Sequence, residues 1–134
     1  MPKGFKATKE QLNIINPDLI QSQVKSCIDE YCDIYGIDLY NYNQRSNIKH
    51  NEVNNILLYC YDHIFKPSKG LMNNQKSLID YDNIEQLEAV INTFIHVCLL
   101  FNKSLWLMSF SLFTGIDDNT LLRWSSQDGE KLNS

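Results

Sequence analysis

The stretch Ser104–Ser126, SLWLMSFSLFTGIDDNTLLRWSS, decides the reading of this chain, because it divides into two short helices hinged at Gly115. A glycine at a tight turn between helices supplies the left-handed backbone that other residues resist. Ser111, four residues earlier, is small enough to let the second helix pack closely, and Phe110, Ile116, Leu121 and Trp124 take the inward places. Leu121 and Trp124 are three apart and therefore share one helical face. Ser104 is expected to cap a first helix over about Leu105–Thr114, and Asp117 or Asp118 a second. The pattern is that of a helix-turn-helix.

With that inner face assigned, the outer face of the second helix carries Asp118, Asn119, Leu122, Arg123 and Ser126. Asparagine and arginine can read adenine and guanine edges, and serine can bond to phosphate. Asp117 and Asp118 oppose that use, since they put negative charge at the helix end that enters a groove. Their structural explanation is complete, because carboxylates at a helix start cap free donors and complement the dipole.

Upstream, Asp82 with Glu85 forms a capping pair for a strong helix. Ile84, Leu87, Ile91, Phe94, Ile95 and Cys98 line one face, and Val90, Leu99, Leu100 and Phe101 widen the arc. This is expected to be the central helix on which the C-terminal pair packs. Before it lies a basic linker, residues 66–81, with Lys66, Lys69 and Lys76 against Asp80 alone. Residues 16–65 read as a helical pair. Asn16 and Pro17 start the first helix, Ile20, Val24, Cys27, Ile28, Tyr31 and Tyr35 keep its period, and Gly36 ends it. The second runs over about Asn51–Phe65, buries Val53, Ile56, Leu57, Cys60, Tyr61 and Ile64, and is broken by KPSKG. The intervening residues 37–49 are polar, rich in Asn and Tyr, and read as a loop with short turns. Residues 1–15 form an arm bearing Lys3, Lys6 and Lys9, with a short helix over Thr8–Ile15. The sum is one compact all-α domain of five or six helices, its last part, residues 82–134, being the central helix plus the helix-turn-helix.

At 134 residues the chain can bury a core without disulfide or metal support. Its N-terminus lacks the apolar core of a signal peptide, and no apolar run approaches the ~20 residues of a membrane span, so a cytoplasmic protein with no membrane partner is expected. Cys27, Cys32, Cys60 and Cys98 fall within periodic segments, as packed reduced thiols do. Cys27 and Cys32 are five apart, about 140° around a helix, which disfavours a zinc site with Cys60 and His63. His50, His63 and His96 read as ordinary packed or surface histidines. No nucleophile elbow and no glycine-rich phosphate loop is present, so no catalytic residue, metal or cofactor is expected. The net charge of −4 is unusual for a DNA-binding chain, whose affinity comes largely from neutralised phosphates.

The residues from Ile79 to Trp124 resemble a family of small proteins encoded by prophages and mobile elements of Gram-positive bacteria. In that family a long helix leads into a segment of the form G/S-F-x-x-x-T-G-I-x-x-x-T-L-x-x-W, supplied here by Ser109, Phe110, Thr114, Gly115, Ile116, Thr120, Leu121 and Trp124. The arrangement looks like the DNA-binding portion of phage terminase small subunits. The resemblance implies a non-enzymatic, helical, DNA-associated protein that recognises viral DNA for packaging and hands it to a large terminase. It also implies a homo-oligomer, in which weak contacts sum. Such proteins continue with a further helical segment, whereas this chain stops at Ser134, as a shortened variant or a truncation would.

The sequence therefore leads to a DNA-binding protein with Asn119, Leu122, Arg123 and Ser126 at the readout face and Lys3, Lys6, Lys9, Lys66 and Lys69 on phosphates. The alternatives are a transcriptional regulator, or an acidic module that acts as an adaptor or as an inhibitor of a host defence protein.

Overall fold

A computed structural model describes residues 15–67, 77–104 and 106–127. Among these, every regular element is helical: α1 (Ile20–Tyr35), α2 (Tyr42–Ser46), α3 (His50–Cys60), α4 (Ile84–Leu100), α5 (Leu107–Thr114) and α6 (Asp118–Gln127). The fold is all-α.

Helix α1 begins three residues later than Pro17. Asn16 folds the entry into a turn, its side chain accepting from the Asp18 amide at 2.9 Å and its carbonyl from the Leu19 amide at 3.0 Å. The helix ends at Gly36 in the left-handed region, φ 72°. Ile20, Val24, Ile28, Tyr31 and Cys32 are buried. The expected inward Tyr35 is instead 63% exposed and lies over Tyr31, ring centroids 4.4 Å apart. Between α1 and α3, the polar segment forms α2 because Asn41 caps it, accepting from the Gln44 amide at 3.1 Å.

Helix α3 runs without a break into one π-helical turn, Tyr61–Phe65, closed by the Lys66 amide on the Tyr61 carbonyl at 2.9 Å. Pro67 holds Lys66 extended and stops the chain there. A π turn carries more residues than an α turn, so the side chain stacked beyond Cys60 is Phe65, fully buried, while Ile64 and Tyr61 are only half-buried. The α-helical period had placed Tyr61 and Ile64 in the core.

Helix α5 packs chiefly on α3, where α4 was the expected support. Helix α3 packs against α1 on one side and α5 on another, and Ile56, Leu57 and Cys60 on it are sealed from solvent. Helix α4 packs on α1, and meets α5 through Phe94, which lies edge-on to Phe110 (5.1 Å, 74°) and tilted to Phe113 (5.7 Å). Its cap is one residue later than the sequence pattern indicated. Asn83 accepts from the Gln86 amide at 3.0 Å, Ile84 is left 54% exposed, and Gln86 and Leu87 turn inward. The buried Gln86 side chain then joins three segments, donating to the Ile15 carbonyl at 2.9 Å and accepting from the Asp80 amide at 2.6 Å. The C-terminal part of the basic linker is correspondingly packed. Ser77 and Ile79 are buried, and the Leu78 amide donates to the Phe65 carbonyl at 2.8 Å.

Two reciprocal hydrogen bonds fasten α1 to α3. The Tyr31 hydroxyl of α1 donates to the Glu52 carboxylate of α3, and the Tyr59 hydroxyl of α3 donates to Glu30 of α1 at 2.5 Å. The bond to Glu30 pushes the Tyr59 phenol up to about 12, and burial with the Glu52 bond raises Tyr31 as well. A phenol whose pKa is raised by folding stabilises the fold fully below the unfolded value, and loses that contribution as pH rises through the folded value. The stability difference between wild type and Tyr59→Phe, read from urea midpoints, is therefore expected to be largest below pH ~10, the ordinary tyrosine pKa, and to close as pH rises. Tyr31→Phe at neutral pH is expected to cost about 1.5–3 kcal/mol, the range for hydrogen bonds to charged groups.

Candidate nucleic-acid interface

The turn between α5 and α6 is closed by Ser111, Thr114, Gly115 and Ile116. The Thr114 hydroxyl donates to the Phe110 carbonyl at 2.9 Å and accepts from the Ile116 amide at 3.1 Å. Gly115 takes the left-handed conformation, φ 78° and ψ 4°, with its amide on the Ser111 carbonyl at 2.8 Å. The Ser111 hydroxyl donates to the Ile116 carbonyl at 2.6 Å, so its small side chain closes the turn by bonding to it. Helix α6 then starts with the Asp117 carbonyl accepting from the Thr120 and Leu121 amides at 3.0 and 3.2 Å.

Ile116, Leu121 and Trp124 are buried, Trp124 standing edge-on to Tyr81 at 5.3 Å and 89°. Phe110 is half-buried, and the fully buried anchor of α5 is Phe113, edge-on to Phe65 at 5.2 Å. Its signal in the sequence was weak, because LMSFSLFT is apolar on every side and yields no clear inner face. Two further contacts hold the start of α5 and were not legible. Ser109 donates to the Asn54 side chain at 3.1 Å, and Trp106 stacks on His50 with centroids 4.3 Å apart.

Opposite the buried stripe, Asn119, Leu122 and Arg123 are all exposed, so three of the readout residues share the solvent face of α6. Ser126 belongs to the same helix, but its side chain lies outside the described residues, as do Lys3, Lys6, Lys9 and Lys69 in full. Lys66 is exposed at the end of the π turn, 3.9 Å from the Asp62 carboxylate, one turn back on its own helix. An exposed pair of this kind contributes little to stability, but it partly offsets the charge that a phosphate would meet.

Asp117 and Asp118 are exposed at the start of α6. Burial, reinforced by the Asp117 charge, raises the Tyr81 phenol above its ordinary range. The bases among the described residues are Lys25, Arg45, Lys49, Lys66, Lys103 and Arg123, and they are dispersed over different elements. Arg123 is thus the one cation that α6 itself carries.

Cys27, Cys32, Cys60 and Cys98 are free thiols. Burial pushes Cys32 up to about 11 and raises Cys98, while the Cys27 thiol is lowered by a hydrogen bond with Cys60. Among the described residues no group of three or more His, Cys, Asp or Glu could hold a metal ion, and no helix is long and apolar enough to cross a membrane.

Gly115→Ala forces a side chain into the left-handed region, and a loss of about 1–2 kcal/mol is expected in chemical denaturation. Phe113→Ala is expected to cost about 3–5 kcal/mol, as for other fully buried phenylalanines. Comparison of the chain with protein-family models, with curated proteins and with solved structures found no match.

Proposed function

We propose that the chain binds duplex DNA through the exposed face of α6, as a non-enzymatic protein of the terminase-small-subunit kind. The observation that carries this reading is the division of α6 into two faces. Ile116, Leu121 and Trp124 fix it to the body, and Asn119, Leu122 and Arg123 project into solvent beyond a glycine turn. Arginine and asparagine each make bidentate contacts with base edges worth about 1–3 kcal/mol of discrimination. A single cation on α6 supplies little phosphate affinity. The remainder of the contact is assigned to Lys3, Lys6, Lys9, Lys66 and Lys69, and to an oligomer in which several such helices act together. A large terminase or another phage protein is the partner this role implies.

A second reading, an acidic module that docks on a basic protein surface as an adaptor or inhibitor, is favoured by exposed Asp117 and Asp118. The two readings predict opposite signs for one change. With a fluorescent duplex at low salt, Arg123→Ala should weaken binding roughly 5- to 150-fold, the equivalent of about 1–3 kcal/mol. The double substitution Asp117→Asn, Asp118→Asn should tighten it, because two charges that repel phosphate are removed. Failure of the wild-type chain to bind any duplex at low salt would sink the DNA reading. Tighter binding of a basic protein partner by the wild type than by the double variant would favour the second.

A further inference from the structure

A groove of about 310 Å³ lies between α1 and α4, with the chain from Leu39 to Arg45 along its side. That volume is at the lower end of the range for small-molecule sites, which are typically apolar with a few placed polar groups. Val24, Ile28, Leu39, Val97 and Leu100 supply the apolar surface. Thr93 adds no free donor, since its hydroxyl donates to the Ala89 carbonyl one turn back at 2.8 Å.

The lysine, arginine and aspartate of the lining leave one net positive charge, and Gln21, Tyr40 and His96 add polar surface. Lys25 and Asp29 both line the groove and pair with each other at 3.5 Å, so they largely cancel. Arg45 lines it too, and no carboxylate among the described residues pairs with its guanidinium. One Arg45 nitrogen, Nη1, donates to the Leu39 carbonyl at 3.1 Å, and the guanidinium carbon lies 5.3 Å from the Tyr42 ring centroid. Its Nε is buried without a hydrogen-bond partner, the one such side-chain atom among the described residues. The Leu39 carbonyl engages only one donor of the guanidinium, which leaves the rest of its fork open to a carboxylate. The planar guanidinium fork matches a carboxylate in geometry as well as charge.

We propose that this groove binds a small monocarboxylate with an apolar body, such as a medium-chain acyl acid, whose head is held by Arg45 and whose tail lies between α1 and α4. A single uncompensated cation selects a monoanion, and the apolar walls select a tail. An amine finds no unpaired carboxylate here, since Asp29 already holds Lys25. None of the residues involved belongs to α5 or α6, so the site stands or falls separately from DNA binding.

The test titrates octanoate, with octan-1-ol as the uncharged control, into the full chain labelled at its methyl groups. Saturable shifts at Val24, Ile28, Val97 and Leu100 are expected with octanoate. Octan-1-ol should bind at least about tenfold more weakly, in keeping with a lost charge-assisted hydrogen bond. Arg45→Gln should lose octanoate binding to a similar degree, and Leu100→Trp should lose it by filling the groove. Should Arg45→Gln disturb the fold through its contact with Leu39, the octan-1-ol comparison and Leu100→Trp decide the matter alone. The proposal is overturned by equal binding of acid and alcohol, by undiminished binding in a folded Arg45→Gln or Leu100→Trp chain, or by no saturable shift at millimolar octanoate.

Discussion

The packing of α3 between α1 and α5 is the constraint on which the rest depends. Ile56, Leu57 and Cys60 can be sealed from water only while both neighbours are in place, and fully burying an isoleucine or leucine side chain contributes about 1.5–3 kcal/mol. The Tyr31–Glu52 and Tyr59–Glu30 bonds fix how α1 lies along α3. The π turn carries the core onward, because it brings Phe65 under Phe113 and so ties α5 to the same centre. The N-terminal half thus forms the platform that holds the C-terminal pair.

That platform explains how a turn made of Thr114, Gly115 and Ser111 can present α6 with one face buried and one free. It also sets a tension within the proposed function. The residues that begin α6 favourably, Asp117 and Asp118, stabilise the helix start through the dipole and repel the phosphates a groove would bring. In the DNA reading, base-edge contacts from Asn119 and Arg123 and the summing of weak sites must outweigh that repulsion. The dispersed bases of the body make the balance sensitive to salt.

Much of this was legible in the sequence. Amphipathic periods located four of the helices, because burial of one face leaves a 3.6-residue pattern, and Gly36 and Gly115 marked left-handed ends that few other residues tolerate. What escaped was tertiary in origin. Phe65 enters the core only because the helix widens to a π turn, and Phe113 could not be told from its apolar neighbours in a helix without a polar face. Gln86 reads as a surface residue until its three-way bonding to Ile15 and Asp80 is visible. Helix α2 is too short to show a period, so residues 37–49 read as a loop with short turns. The outer face of α6 was legible as a set of exposed residues, whereas the groove beside Arg45 has no linear signature, since α1, α2 and α4 build it jointly.

The central claim, that α6 meets DNA with the face opposite Leu121 and Trp124, is tested most directly by amide shift mapping of the full chain with a duplex at low salt. The account predicts that the strongest changes fall on Asn119, Leu122 and Arg123, with the N-terminal lysines responding and the body of α1 and α3 unchanged. Binding that leaves α6 unperturbed, or that centres on another surface, would contradict it.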